Sequence, residues 1–178
     1  MYNKRLIVLV SLFALMAGGH RCKNFLDESP QGNLTQEFFP SNASEARLAT
    51  NACYNTLRSW FFHSGGYPIL DIMSDDATKG SNPTDQASNL NAFNDFTFTA
   101  AQDGLDRWWT TLYEGIKRTN VVIEKVPPID MDAALKNRLL AEARFLRALF
   151  YFDLVRTWGG VPLVLDTNPG LSLGRATA

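Results

Sequence analysis

Few of the residue types that do chemistry are present in this chain of 178 residues. Its two histidines are His20, in an apolar N-terminal region, and His63, which no nucleophile motif surrounds. Nucleophilic catalysis needs a base within hydrogen-bond reach of the nucleophile, so a Ser–His–Asp or Cys–His site would depend on His63. The adjacent carboxylates Asp75 and Asp76 do not show the separation across a glycosidic bond that a glycosidase requires. The sequence therefore predicts a protein that is not an enzyme.

Carboxylates are concentrated in one polar stretch, where oxygen ligands for a calcium ion could come from Asp71, Asp75, Asp76 and Asp85. An EF-hand loop counted from Asp75 fails, because Ala77, Lys79 and Gln86 break its ligand positions. Turn chemistry, in which Asp and Asn side chains bind their own backbone, accounts for the same composition. We therefore predict neither a bound metal ion nor another cofactor.

Three segments that must position these residues carry the apolar spacing of amphipathic helices, at steps of three and four. They span residues 44–62, 104–126 and 131–157. Residues 63–102 are rich in Gly, Pro, Asn, Asp, Ser and Thr, and an irregular loop of this length is usually functional or disordered. Strand-like alternation is confined to residues 92–99. We predict a mainly α fold of tetratricopeptide-like helical hairpins with a long irregular loop.

Polar residues at the helix ends, and one on a helix face, have specific expected roles. Asn42, with Glu45 three residues later, predicts a capping box at the start of the first helix. Asp103 and Asp130 are the expected caps of the second and third helices, since a carboxylate accepts hydrogen bonds from free amides there. Asn120 falls on an apolar face, where a polar group must be hydrogen-bonded. We expect it to bind neighbouring backbone and not a ligand.

The first 21 residues have the pattern of an export signal. Lys4 and Arg5 precede an apolar run, residues 6–17, which is shorter than the roughly 20 residues needed to span a bilayer. A basic flank followed by a short apolar run is typical of a signal peptide. Cys22 follows at the position where a bacterial lipoprotein carries its lipid. We predict a signal peptide over 1–21 and lipidation of Cys22.

A second interpretation of this region stays open. Arg21 fits the lipidation signal poorly, and ordinary cleavage after Gly19 is the alternative. In that case Cys22 and Cys53 could form a disulfide in the oxidising periplasm. The simplest role for Cys53 is that of a small buried residue of the first helix.

Composition and charge narrow the class of protein further. Hydrophobic residues make up 46% of the chain, which predicts a packed interior and argues against disorder. The formal net charge is -1, so the chain lacks the basic surface that nucleic-acid binding requires. We predict no nucleic-acid partner.

Three stretches together resemble one protein family. Residues 141–155 read AEARFLRALFYFDLV, and residues 158–163 continue with WGGVPL. Residues 109–120 read WTTLYEGIKRTN, and residues 22–27 read CKNFLD. With these motifs the chain resembles the SusD/RagB-like outer-membrane nutrient-binding lipoproteins over nearly its whole length.

The resemblance implies a lipid-anchored protein of the outer membrane of Bacteroidetes-type bacteria. Family members hold an oligosaccharide or another nutrient and cap a TonB-dependent transporter of the SusC type, to which they deliver it. They are also much longer than this chain. The resemblance therefore implies that residues 22–178 are a truncated N-terminal α domain of a larger SusD-like fold. A helical-repeat module that binds proteins and no sugar is the alternative.

Glycan binding requires flat aromatic rings and planar polar groups that bind hydroxyls. The long loop and the adjacent helix ends supply the candidate contacts, which are Trp60, Tyr67, Asp75, Asp76, Asn82 and Trp108. Trp109 lies on the predicted apolar face of the second helix. Since two consecutive residues cannot face the same way on a helix, Trp108 is expected to be the more exposed of the pair.

Overall fold

Six helices make up most of the residues that the computed structural model describes, which are 39–63, 67–80, 82, 90–170 and 173–177. They are α1 Ala43–Thr56, α2 Trp60–His63, α3 Tyr67–Ile72, α4 Asn91–Asn94, α5 Asp103–Lys125 and α6 Ala133–Trp158. Within these ranges there is no strand, and the only β-type pairing is an isolated bridge between Pro162 and Arg175. The prediction of a mainly α fold is confirmed.

The long helices α5 and α6 form a hairpin, and α1 packs against both of them. The connection between α5 and α6 is short, which places the two helices antiparallel to one another. Buried apolar side chains from all three helices form one core, with Ala49, Cys53, Trp108, Leu112, Ile116, Val122, Leu139, Ala143, Leu146, Phe150 and Leu154 among its members. A smaller cluster joins Ile69 and Ile72 of α3 to Phe93 of α4.

The first predicted helix is interrupted. It ends at Thr56, and the predicted continuation to residue 62 is wrong. The amides of Leu57, Arg58 and Ser59 donate to carbonyls three residues back, at 3.0, 3.1 and 3.0 Å. Such three-residue bonds tighten the chain into a turn. The short α2 then starts at Trp60.

The cap of α1 is confirmed. The side-chain oxygen of Asn42 accepts a hydrogen bond from the amide of Glu45 at 3.0 Å. The Glu45 carboxylate reaches back to Ser41 and accepts from its amide at 2.7 Å and from its hydroxyl at 2.9 Å. These hydrogen bonds, the backbone one first, lower the pKa of Glu45.

The predicted caps of the two long helices are wrong by one or two residues. Asp103 is the first residue of α5 and its carboxylate binds Arg107, while Gln102 occupies the cap position. At the start of α6 the cap is Asp132 and not Asp130, since an Asp132 oxygen accepts from the Leu135 amide at 2.8 Å. Acidic residues are frequent near both starts, and spacing alone does not show which one has the extended backbone of a cap.

Residues 161–167 fold back along the α5–α6 hairpin after α6 ends. Asn120, which is fully buried, donates from its amide nitrogen to the carbonyls of Val164 at 3.1 Å and Asp166 at 3.0 Å. Its amide oxygen accepts from Arg147 at 2.9 Å. The predicted structural role of Asn120 is confirmed, because it holds backbone that is distant in sequence.

Helix α6 is apolar on two faces. Leu146 and Phe150 are buried on one face, whereas Phe145 and Phe152 are 68% and 61% exposed on another. The wide apolar surface expected for this helix therefore remains partly uncovered in the described residues. None of the helices described is both long enough and apolar enough to cross a bilayer.

Candidate functional site

An open cleft lies where the start of α5 meets the end of α6. It encloses about 470 Å³ and is lined by Ala100, Leu105, Asp106, Trp109, Trp158, Pro162 and Arg175. Trp109 and Trp158 are half-buried and meet edge to face, with ring centroids 5.2 Å apart. The Asp106 carboxylate and the Arg175 guanidinium add one charge of each sign. We call this site the tryptophan cleft.

The wall of the tryptophan cleft is held by hydrogen bonds to backbone carbonyls. Arg175 donates to Gly160 at 2.6 Å and to Trp158 at 2.8 Å. Tyr113 donates to the carbonyl of Pro162 at 2.7 Å. Burial, and secondarily the neighbouring Tyr151, raises the pKa of Tyr113 to about 12. Its hydroxyl therefore stays protonated and donating at neutral pH.

The predicted exposure of the two adjacent tryptophans is wrong. Trp108 is 0% exposed, so it offers no face to a ligand, whereas Trp109 lines the cleft. Helix α5 packs against both α1 and α6. Its buried face is therefore wide enough to include Trp108. The Trp108 ring packs against the Trp158 ring, with ring centroids 5.4 Å apart. The Nε1 atom of Trp108 has no hydrogen-bond partner among the described residues.

A second cleft of about 540 Å³ lies on the other side of the α5 start. It is lined by Ser59, Phe61, Asp103, Asp106, Arg107, Thr110, Thr111 and Glu114. The Arg107 guanidinium lies over the Phe61 ring at 4.9 Å. Because Asp106 lines both clefts, they are neighbours along one helix. We call this second site the α2–α5 cleft.

The other predicted ligand contacts lie outside the linings of these two clefts. Trp60 is 66% exposed on α2, between Ser59 and Phe61 in sequence, and its ring meets His63 edge to face. Asp75, Asp76 and Asn82 are exposed in the chain that follows α3. Tyr67 begins α3, and its side chain lies outside the described residues.

Within the predicted loop, the described residues form the short helices α3 and α4, and residues 73–76 form turns. The hydroxyl of Ser74 accepts from the amide of Asp76 at 3.1 Å, and Lys79 donates to the carbonyl of Asn82 at 2.6 Å. Within the described ranges, no group of three or more His, Cys, Asp or Glu side chains could hold a metal ion. Asp85 lies outside those ranges.

Of the two cysteines, the structure describes one. Cys53 is a free, buried thiol that donates to the Ala49 carbonyl at 3.3 Å. Burial, the largest effect, raises its pKa to about 12, so the thiol is unreactive at neutral pH. Its predicted role as a buried helix residue is confirmed. Cys22 and the signal segment 1–21 lie outside the described residues.

Sequence reasoning missed the residues that line the tryptophan cleft. Trp109 was assigned to the core, and Trp158 stands at the helix end within the WGGVPL motif. The available signal was the position of Trp158 in the last turn of a helix that two glycines terminate. Such a residue sits at the end of the hairpin, where the start of the antiparallel neighbour also lies.

Comparison with known proteins places the chain in a family. A family described as "Starch-binding associating with outer membrane" matches residues 24–178. A SusD-like protein of Bacteroides ovatus is 31% identical over 170 residues, which cover 93% of this chain and 29% of that protein. A SusD-like protein of Formosa agariphila is 30% identical over 157 residues, which cover 88% of this chain and 29% of the relative. The chain spans less than a third of the length of these relatives.

A solved structure gives the same result for the fold. It is described as a laminarin-binding SusD-like protein and matches with a TM-score of 0.67 and 29% identity, over 77% of this chain and 30% of that one. The helical hairpins, the sequence motifs and these matches agree. The chain belongs to the SusD-like family, whose members are described as starch-binding and associated with the outer membrane.

Proposed function

We propose that this protein is a lipid-anchored outer-membrane protein that captures an oligosaccharide and delivers it to a SusC-like TonB-dependent transporter. Family membership and the laminarin-binding neighbour support the oligosaccharide as ligand. The observation that carries the proposal is the tryptophan cleft, with its two half-buried indole rings beside a carboxylate and a guanidinium. No step of this function requires bond cleavage.

The tryptophan cleft offers the two kinds of contact that a sugar needs. The apolar face of a sugar ring can lie against Trp109 or Trp158, as apolar groups do in ligand pockets. Hydroxyl groups at the ring edge can donate to Asp106 and accept from Arg175. Hydrogen bonds to charged groups are the stronger ones, so these two side chains would orient the bound ring.

The other predicted contact residues are proposed as outer contacts of a longer glycan. Trp60 presents a largely exposed ring and stands in sequence between Ser59 and Phe61, which line the α2–α5 cleft. Tyr67, Asp75, Asp76 and Asn82 remain proposed contacts from the loop. Trp108 is not proposed, because a fully buried ring cannot receive a sugar.

Replacing Trp158 by alanine tests the cleft directly. We expect the affinity for a laminari-oligosaccharide to fall roughly tenfold, because an aromatic contact worth about 1.4 kcal/mol corresponds to that factor. Isothermal titration calorimetry on the full chain measures the change. Tryptophan fluorescence provides a second readout, since Trp109 and Trp158 would both be covered by the ligand.

The matched control is Phe145→Ala, which removes an exposed aromatic ring from α6 that lines neither cleft. Its affinity should stay at the wild-type value. Thermal unfolding shows whether the Trp158→Ala variant is still folded. If it is not, Trp158→Phe, which keeps a smaller ring, is measured in its place. Equal affinities for wild type and a folded Trp158 variant would remove the cleft from the binding site.

The lipid anchor makes its own prediction. Cys22→Ala removes the only side chain proposed to carry the lipid, so the variant should leave the membrane and appear in the periplasmic fraction. Fractionation and immunoblotting of the producing bacterium measure this, with Cys53→Ala as the control that stays with the membrane. A Cys22→Ala protein that still sediments with the outer membrane contradicts the anchor.

The uncovered face of α6 favours a second candidate function, a helical-repeat module that binds another protein and no sugar. Phe145 and Phe152 lie seven residues apart, on one face, and both are exposed. A stable complex with an outer-membrane protein, lost in Phe145→Asp, together with no response to any glycan, would support this candidate. Glycan binding that Phe145→Asp leaves intact supports the first.

A further inference from the structure

The α2–α5 cleft extends the tryptophan cleft along the first three turns of α5. Asp106 lines both clefts, and Glu114 lines the far end of the second. At about 1.5 Å per residue the distance from Asp106 to Glu114 along the axis is about 12 Å. A ligand that enters the tryptophan cleft and continues past Asp106 would therefore meet a second set of side chains.

The α2–α5 cleft contains one guanidinium that can donate hydrogen bonds to a ligand. The Nε atom of Arg107 donates to both carboxylate oxygens of Asp103, at 2.8 and 2.9 Å. Its guanidinium also lies over the Phe61 ring at 4.9 Å. The guanidinium thus contacts two different elements of the lining, but its pair with Asp103 is exposed and therefore weak, so it can turn toward a ligand hydroxyl.

The charge of this lining is negative. Three carboxylates, those of Asp103, Asp106 and Glu114, stand against the single guanidinium of Arg107. Glu114 also lies 3.8 Å from Arg118, but both side chains are well exposed, and exposed pairs are weak. The other polar groups of the lining are the hydroxyls of Ser59, Thr110 and Thr111. A ligand carboxylate or sulfate would enter a field of its own sign.

We infer that the α2–α5 cleft is a second sugar subsite that accepts neutral, hydroxylated sugar units and disfavours glycans carrying carboxylate or sulfate groups. Neutral hydroxyls can donate to the carboxylates and accept from Arg107, whereas an anionic group can only accept and is repelled. This inference rests on the proposed function and specifies its class of ligand: a neutral oligosaccharide that spans both clefts, with Asp106 at the junction.

The test compares three oligosaccharides of equal length on the full chain in low salt: a neutral glucan, a galacturonan and a sulfated galactan. We expect the neutral glucan to bind at least tenfold more tightly than either anionic one. Each pair of like charges near the protein surface repels by roughly 0.5–2 kcal/mol, and the anionic glycans place such charges next to the carboxylates of the lining. The variant Asp106→Asn/Glu114→Gln keeps the shape of the lining, replaces two acceptor-only carboxylates by amides that both donate and accept, and removes two charges. It should lower the ratio of neutral to anionic affinity about fivefold.

Salt and a charge-matched control complete the design. The ratio should approach one as ionic strength rises toward about 1 M, where charges are screened beyond about 3 Å. Asp95→Asn/Asp130→Asn removes two exposed carboxylates that line neither cleft and should leave the ratio unchanged.

The outcomes separate the inference from the function on which it rests. If the wild type binds neutral and anionic glycans equally well, or if the control variant shifts the ratio as much as the cleft variant, the inference is wrong and sugar binding stands. If no glycan binds to the folded chain, the proposed function itself is wrong.

Discussion

Replacing Asn120 by alanine is expected to lower the free energy of unfolding by about 3 kcal/mol, because it removes three hydrogen bonds made by one fully buried side chain. The Asp166 carbonyl loses the Asn120 donor, whereas the Val164 carbonyl keeps the Tyr151 hydroxyl and Arg147 keeps the Leu165 carbonyl. Asn120 is fully buried, so water cannot readily replace the amide. The gain in helix propensity from alanine, about half a kcal/mol, is too small to offset this.

Urea or thermal unfolding of the full chain measures the Asn120→Ala effect. The matched control is Asn51→Ala, an exposed asparagine in the middle of α1, which should change stability by less than about 0.5 kcal/mol. Hydrogen exchange should also rise at the amides of residues 161–167, which fold back onto the hairpin. Equal stabilities for the two alanine variants would show that the Asn120 network does not support the fold.

Replacing Gly115 by alanine is expected to destabilise the α5–α6 hairpin by about 2 kcal/mol, within the usual range for overpacking. A Cβ at residue 115 would lie 2.6 Å from the Cε2 atom of Phe150 and 2.9 Å from two more atoms of that ring. Phe150 is fully buried, so its ring has no free space to enter. The clash must outweigh the roughly 0.5–1 kcal/mol that alanine gains over glycine inside a helix.

The control and the rescue for Gly115 follow from the same geometry. Gly174→Ala places its Cβ in open space and should leave the unfolding midpoint unchanged. In the Gly115→Ala background, Phe150→Leu removes ring atoms from the clash, so the double variant should be more stable than the sum of the single effects predicts. A Gly115→Ala protein that is more stable than wild type would mean that the two helices separate at little cost.

The helices of the core were predictable from the sequence because their apolar residues recur with the helical period over many turns. The spacing through Leu139, Ala143, Leu146 and Phe150 identifies the buried face of α6 correctly. The break after Thr56 was not predictable, since it depends on three local hydrogen bonds that the apolar pattern of residues 44–62 does not reveal. The capping residue of α6 was missed because Asp130 and Asp132 satisfy the same rule.

The candidate site was only partly predictable. The roles of Trp108 and Trp109 were exchanged, whereas Trp60 stays a prediction, because it is exposed and lines neither cleft. Periodicity gives the average direction of an apolar face, whereas the neighbours α1 and α6 decide how wide that face is. The loop residues Asp75, Asp76 and Asn82 were selected by composition, and composition does not locate a cleft.

The sequence by itself determined the helical class, the hairpin of two long helices, the backbone-binding role of Asn120 and the resemblance to the SusD-like family. These follow from local periodicity and from motifs whose residues lie close together in the chain. Only the tertiary structure decided that Trp109, Trp158 and Arg175 line one cleft and that Asp106 joins it to a second. Those contacts connect residues far apart in sequence, and they depend on how α5 and α6 pack and on how the chain returns along them.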